Sequence, residues 1–105
     1  MAKCRITVLK RTLNQDLVDS YLSDSFKASG FGPCDQFKDG QVFLFEGFAM
    51  PAGFCPWAWA DIQRDAAAMY IAGGNLPWVN RKGTAIVCCT DGFRPVVFKI
   101  ERVEE

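Results

Sequence analysis

The chain has 105 residues, 50% of them hydrophobic and 23% charged, which is ordinary globular composition and enough length for a single domain (1–105) with one core, but not for two. Twelve basic residues balance twelve acidic ones, so the electrostatic footprint of a nucleic-acid or anionic-membrane binder is missing, and no apolar run approaches the roughly 18 residues of a membrane span. There is no histidine, which removes the commonest general base and metal ligand, and there is no glycine-rich phosphate loop.

Met1 to Ile6 runs directly into a strand-like pattern, so no signal peptide is expected and the expected compartment is the cytoplasm. Residues 3–10 alternate, with Cys4, Ile6 and Val8 on one face and Arg5, Thr7 and Leu9 on the other, the period of a strand. Asn14 is placed to cap a short helix running to about Leu22, with Leu17, Tyr21 and Val18 turned inward. The small, polar, glycine-punctuated stretch 23–32 reads as a loop. Phe37-Lys38-Asp39-Gly40 then forms a tight turn into a second strand, 41–46. Val42 and Leu44 lie on one side of that strand and Phe43 and Phe45 on the other, a pattern that predicts cover on both faces.

The chain is organised around Gly53 to Ile62. Pro56 suits the first position of a helix, where its missing N–H would have no partner, and this makes Cys55 the N-cap residue. Unpaired N–H groups and the positive end of the helix dipole favour a thiolate at such a position. The helix is expected over 56–72, with Gly73-Gly74 as its C-terminal stop. At 100° per residue Ala58, Trp59, Ile62, Ala66 and Met69 share one side, while Trp57, Ala60, Ala67, Ala68 and Ile71 share the opposite one. A helix apolar on both sides needs cover beyond its own sheet, which predicts a homo-oligomer with Trp57 and Ile71 as anchors.

Residues 84–90 and 94–102 read as a final hairpin joined by Asp91-Gly92, a strong hairpin signal. A two-residue turn there sets Cys89 opposite Arg94, Val87 opposite Val96 and Ala85 opposite Phe98, with Ile86 and Cys88 on the other face. Glu101 to Glu105 reads as a charged tail. The fold expected is α+β: an antiparallel sheet of about four strands with one main helix packed on it and a short N-terminal helix.

Several of these segments occur together, and in the same order, in a family of small, uncharacterised prokaryotic proteins of about this length, which the chain resembles over nearly its whole extent. They are Gly32-Pro33-Cys34, Phe37-Lys38-x-Gly40-Gln41-x-Phe43, Cys55-Pro56-Trp57-Ala58-Trp59, Gly73-Gly74, Pro77-Trp78 and Cys88-Cys89-Thr90-Asp91-Gly92-x-Arg94-Pro95-Val96-Val97-Phe98. The resemblance implies a small standalone domain in which the cysteine motifs are a shared feature. It carries neither an activity nor catalytic residues with it.

Five cysteines are an odd number, and a cytosolic chain keeps its thiols reduced, so a disulfide framework is not expected. Cys55 is the candidate catalytic thiol, against the plainer reading of a packing residue between loop and helix. Cys34 in its loop, Trp57, Cys89 and Arg94 are the candidate ligand-binding residues. Each has its plain counterpart: Cys89 as a half-buried strand residue, Trp57 as a subunit contact, and Arg94 as the partner of Asp61 or Asp65. Cys4 is expected in the core, and Cys88 in the core or an interface, both inert. No CxxC pair is present, so a metal site is not assigned; Cys34, Cys55 and Cys89 are the ligands it would use.

Three functions follow. The chain is a small-molecule-binding or thiol-dependent protein with its pocket at Cys34, Cys55, Cys89 and Arg94, a structural or regulatory homo-oligomer without catalysis, or a thiolate metal protein. The residues identify no cofactor.

Overall fold

The structure, a computed structural model, describes residues 3–72 and 75–104; the proposed helix stop at Gly73-Gly74 lies outside them. Four strands form one antiparallel sheet: β1 (Lys3–Arg11), β2 (Val42–Phe45), β3 (Thr84–Cys88) and β4 (Val96–Glu104), in the order β2-β1-β4-β3. Three helices accompany them, α1 (Gln15–Tyr21), α2 (Asp24–Ala28) and α3 (Pro56–Ala72). This is the α+β arrangement expected, with the two long strands in the middle and the two short ones at the edges.

One face of the sheet carries the core. Cys4, Ile6 and Val8 of β1, Phe43 and Phe45 of β2, and Val96, Phe98 and Ile100 of β4 are all buried. Across them lies α3, burying Ala58, Trp59, Ile62, Ala66 and Met69, the same stripe that helical periodicity assigns. Each large aliphatic or aromatic side chain so buried contributes about 1.5–3 kcal/mol. The loops fill the remaining gap with two phenylalanines. The Phe54 ring lies 5.0 Å from that of Phe37, 4.9 Å from Phe43 and 5.5 Å from Phe98, spacings at which aromatic pairs attract beyond their area burial. Gly53, at φ +82°, turns the chain into Phe54 through a conformation that other residues rarely adopt.

The opposite sheet face is open at its edge strands. Val42, Leu44, Ile86 and Cys88 are exposed there, so β2 is covered on one side and not on both. Its centre is a charge cluster: Glu101 lies 3.0 Å from Arg5 Nε and 3.4 Å from Lys99 Nζ. Glu101 is buried in β4 and does not begin a tail, because β4 stays paired with β1 through Glu104. The outer side of α3 is likewise open, with Trp57 70% and Ile71 67% exposed.

Three further local expectations are corrected. In α1 only Val18 is buried, while Leu17 and Tyr21 face solvent. Asn14 makes no side-chain cap; its Nδ2 donates instead to the Gly92 carbonyl at 2.7 Å, tying the start of α1 to the hairpin loop. The stretch read as loop contains the short helix α2, which buries no residue of its own.

The final hairpin is present with a longer connection. Ala85 faces Ile100, Val87 faces Phe98 and Cys88 faces Val97, two residues out from the register that a tight Asp-Gly turn would give. Asp91 Oδ1 accepts the backbone N–H of Phe93 at 3.0 Å and of Arg94 at 3.3 Å, folding 91–94 on itself, and Pro95 has no N–H to add to a ladder. Since the shift is an even number of residues, every side chain keeps its expected face.

Candidate functional site

The end of the sheet where β3 stops and β4 starts is also where α3 begins. Three segments distant in sequence meet there around a half-open cleft of ≈ 250 Å³. Cys34 and Phe37 come from the segment before β2, Cys55 and Trp57 from the entry of α3, and Cys89 and Arg94 from the β3–β4 loop. Gln36, Ala58, Asp91 and Val96 complete the wall. All five residues singled out from the sequence, Cys34, Cys55, Trp57, Cys89 and Arg94, therefore border one cleft. Three of the sequence segments quoted above each contribute a thiol to it.

Each thiol is positioned by a different device. The Cys55 carbonyl accepts the N–H of Trp59 at 2.9 Å, the first bond of α3, so Cys55 occupies the N-cap position and is half-buried between Phe54 and the first helical turn. The Cys34 carbonyl accepts from Arg11 Nη1 at 3.0 Å, and Arg11 Nε is bound by Asp39 at 3.1 Å. Arg11 can reach inward because a bulge at Leu9, between the β1–β4 pairs Val8–Phe98 and Lys10–Val97, moves the last residues of β1 to the other face. Cys89 is buried, and its sulfur accepts the N–H of Val96 at 3.3 Å. All five cysteines are free.

Arg94 does not face Cys89 across the ladder; Val96 does, through the Cys89 N–H to Val96 carbonyl bond at 3.1 Å. Nor does Arg94 pair with Asp61 or Asp65. Its Nε lies 3.5 Å from Asp91 Oδ2, and its guanidinium stacks 4.5 Å above the centre of the Phe31 ring, a cation–π arrangement. Asp61 is taken by Thr90, whose backbone N–H and hydroxyl it accepts. Sequence reading treated Asp91 only as a turn residue. The signal available was its spacing, Asp91-Gly92-x-Arg94, which returns a carboxylate to a guanidinium three residues on. Gln36 carried no signal of its own.

The wall is mainly apolar, formed by Phe37, Trp57, Ala58, Val96 and three thiols, with Arg94, Asp91 and Gln36 as its polar groups. Among the described residues no three Cys, Asp or Glu side chains are grouped so as to hold a metal ion, so the three thiols share a wall without forming a coordination cluster. Of the remaining cysteines, Cys4 is fully buried, and burial pushes its thiol pKa up, partly opposed by the charge of Arg102. Cys88 sits exposed on the open sheet face. No helix among the described residues is long and apolar enough to cross a membrane. Compared with protein-family models, with curated proteins and with solved structures, the chain matches none.

Proposed function

We propose that this cleft binds a small, largely apolar molecule and that Cys55 is the thiol that meets it. The observation that carries the reading is the convergence of three separate segments on one apolar concavity holding a small number of polar groups, the usual composition of a small-molecule site. A volume of ≈ 250 Å³ is near the lower end for such sites, so the molecule is a fragment-sized one. The same reading takes the chain as a cytoplasmic member of the small prokaryotic family whose motifs it carries. The test is a titration with single-ring compounds, followed by amide resonances and by the rate at which iodoacetamide modifies Cys55. Joint movement of the Cys34, Ala58 and Arg94 resonances together with slowed alkylation of Cys55 is the expected result. A panel that leaves both unchanged removes the proposal.

A second reading is a homo-oligomer, favoured by a specific observation: Trp57 and Ile71 of α3, and Trp78 in the loop after it (76% exposed), leave large apolar side chains in water, and such surfaces commonly mark contacts. Light scattering at micromolar concentration decides it, with loss of association in Ile71→Glu as the expected signature. A monomeric wild-type chain removes it.

A further inference from the structure

The polar end of the cleft is already charge-balanced, and this bears on what can bind there. Arg94 and Asp91 are the groups with a fixed charge among the described residues that line it, one of each sign, and their side chains are 30% and 34% exposed. The face of the guanidinium is covered by Phe31, and its Nε lies 3.5 Å from Asp91 Oδ2 as an ion pair. Its Nη donors have no hydrogen-bond partner among the described residues, and Arg94 borders both this cleft and a neighbouring hollow that it shares with Phe31 and Asp35. On Asp91, Oδ1 is filled by two backbone N–H groups, whereas Oδ2 accepts no hydrogen bond among the described residues and lies 3.5 Å from Arg94 Nε.

We propose that the cleft selects a small planar ring bearing a neutral, amide-like head, one acceptor for Arg94 and one donor for Asp91; this rests on the small-molecule reading above. A carboxylate head would gain from Arg94 but would add a second negative charge beside Asp91 in a mostly apolar wall, where like charges are poorly screened. An ammonium head meets the converse difficulty with Arg94. A primary carboxamide satisfies both partners and leaves the balance at zero. The size of the body follows from the volume: a cavity of about 150 Å³ holds a benzene ring, so ≈ 250 Å³ admits one ring and a short polar substituent. Trp57 is the exposed aromatic residue of the lining, and Phe37 and Val96 are its buried members.

The experiment compares benzamide with benzoate as probes, on the wild-type chain and on Asp91→Asn, by amide resonance titration with Cys55 alkylation as a parallel readout. The asparagine side chain of that variant can still accept the two N–H bonds on its carbonyl oxygen, so the turn is retained while the negative charge is removed and an amide donor takes the place of Oδ2. The expected result is that benzamide binds about tenfold more tightly than benzoate to the wild type, and that Asp91→Asn reverses the order, the size of one hydrogen bond to a charged group. Arg94→Lys, which keeps the charge but loses the planar donor edge, weakens benzamide by a similar factor and serves if Asp91→Asn is not folded. Benzoate binding as well as or better than benzamide to the wild type, while shielding Cys55, overturns the amide-head proposal and leaves the cleft reading standing. If neither probe moves a cleft resonance or shields Cys55, both proposals fall.

Discussion

Asp61, in the second turn of α3, accepts the backbone N–H of Thr90 at 2.8 Å and the Thr90 hydroxyl at 3.0 Å. This double contact ties the helix that begins at Cys55 to the loop that carries Asp91 and Arg94. The two walls of the cleft are thereby held at a fixed spacing by a charge-assisted pair. Asp61→Ala is expected to cost about 1–3 kcal/mol in chemical denaturation, the range for hydrogen bonds to a charged group. The Thr90 amide should then lose its exchange protection. If the Thr90 amide stays protected in Asp61→Ala, the loop is held by other contacts and the clamp is unimportant.

Phe54 occupies the centre of the aromatic cluster and is the residue immediately before the candidate thiol. Its ring contacts Phe37, Phe43, Phe98 and, at 5.8 Å, Trp59. Removing it leaves a cavity among four aromatic rings that are themselves held in the core. Phe54→Ala is therefore expected to destabilise by about 3–5 kcal/mol, with Phe54→Leu losing clearly less. Equal costs for the two would mean that volume is not what Phe54 supplies.

The acid limb of stability should depend on Glu101. Burial acts to raise its pKa, but the hydrogen bond from Arg5 and the charges of Lys99 and Arg5 together outweigh it and hold the carboxyl below its usual value. A carboxyl whose folded pKa lies below its unfolded one binds fewer protons in the native state. Its contribution is therefore complete above the ordinary glutamate range, about 4.3, and is lost as pH falls through the lower, folded value. Glu101→Gln should lower stability in the neutral region, where that contribution is complete, and flatten the acid limb, the difference from the wild type shrinking as pH falls. An unchanged acid limb in the variant would show that the cluster with Arg5 and Lys99 is not coupled to folding.

Strand faces and the α3 stripe were legible in the residues, because both follow from a fixed side-chain period and a single burial decision. Cys4, Ile6 and Val8 alternate with no competing pattern, and Ala58, Trp59, Ile62, Ala66 and Met69 follow one helical stripe. Where the reading departed from the structure, a particular side-chain contact or a bulge had replaced the simple rule. Asn14 suits a helix cap, but its side chain is used by Gly92. Asp91-Gly92 suits a two-residue turn, but Asp91 captures the N–H groups of Phe93 and Arg94 and lengthens the loop. The inward turn of Arg11 depends on a bulge that no residue type in β1 announces. The cleft residues could be picked out because cysteine, tryptophan and arginine are conspicuous. Their companions Gln36, Asp91 and Phe31 look like ordinary loop residues until the segments are brought together.

The five thiols rank themselves by access, and the ranking tests the role given to Cys55. Cys4 and Cys89 are buried, Cys34 and Cys55 are half-buried at the cleft, and Cys88 is exposed on the open sheet face. Cys88, expected in the core or an interface, lies outside the core. It supplies the rate of an exposed, unassisted thiol within the same molecule. Brief alkylation of the native chain, with each modified peptide weighed, should label Cys88, Cys55 and Cys34 while Cys4 and Cys89 stay closed until unfolding. If access alone governs the rates, Cys55 and Cys34 react alike and both more slowly than Cys88. A thiol placed to do chemistry at a helix entry should break that order, with Cys55 reacting at least as fast as Cys88 despite its partial burial. Prior addition of a ligand that fills the cleft should then slow Cys55 and Cys34 together and leave Cys88 unchanged, since the latter lies on the far side of the sheet. Should Cys55 instead lag behind Cys88 and match Cys34, its sulfur is a packing group between Phe54 and the first turn of α3, and the oligomer formed through Trp57 and Ile71 becomes the better account of the motif.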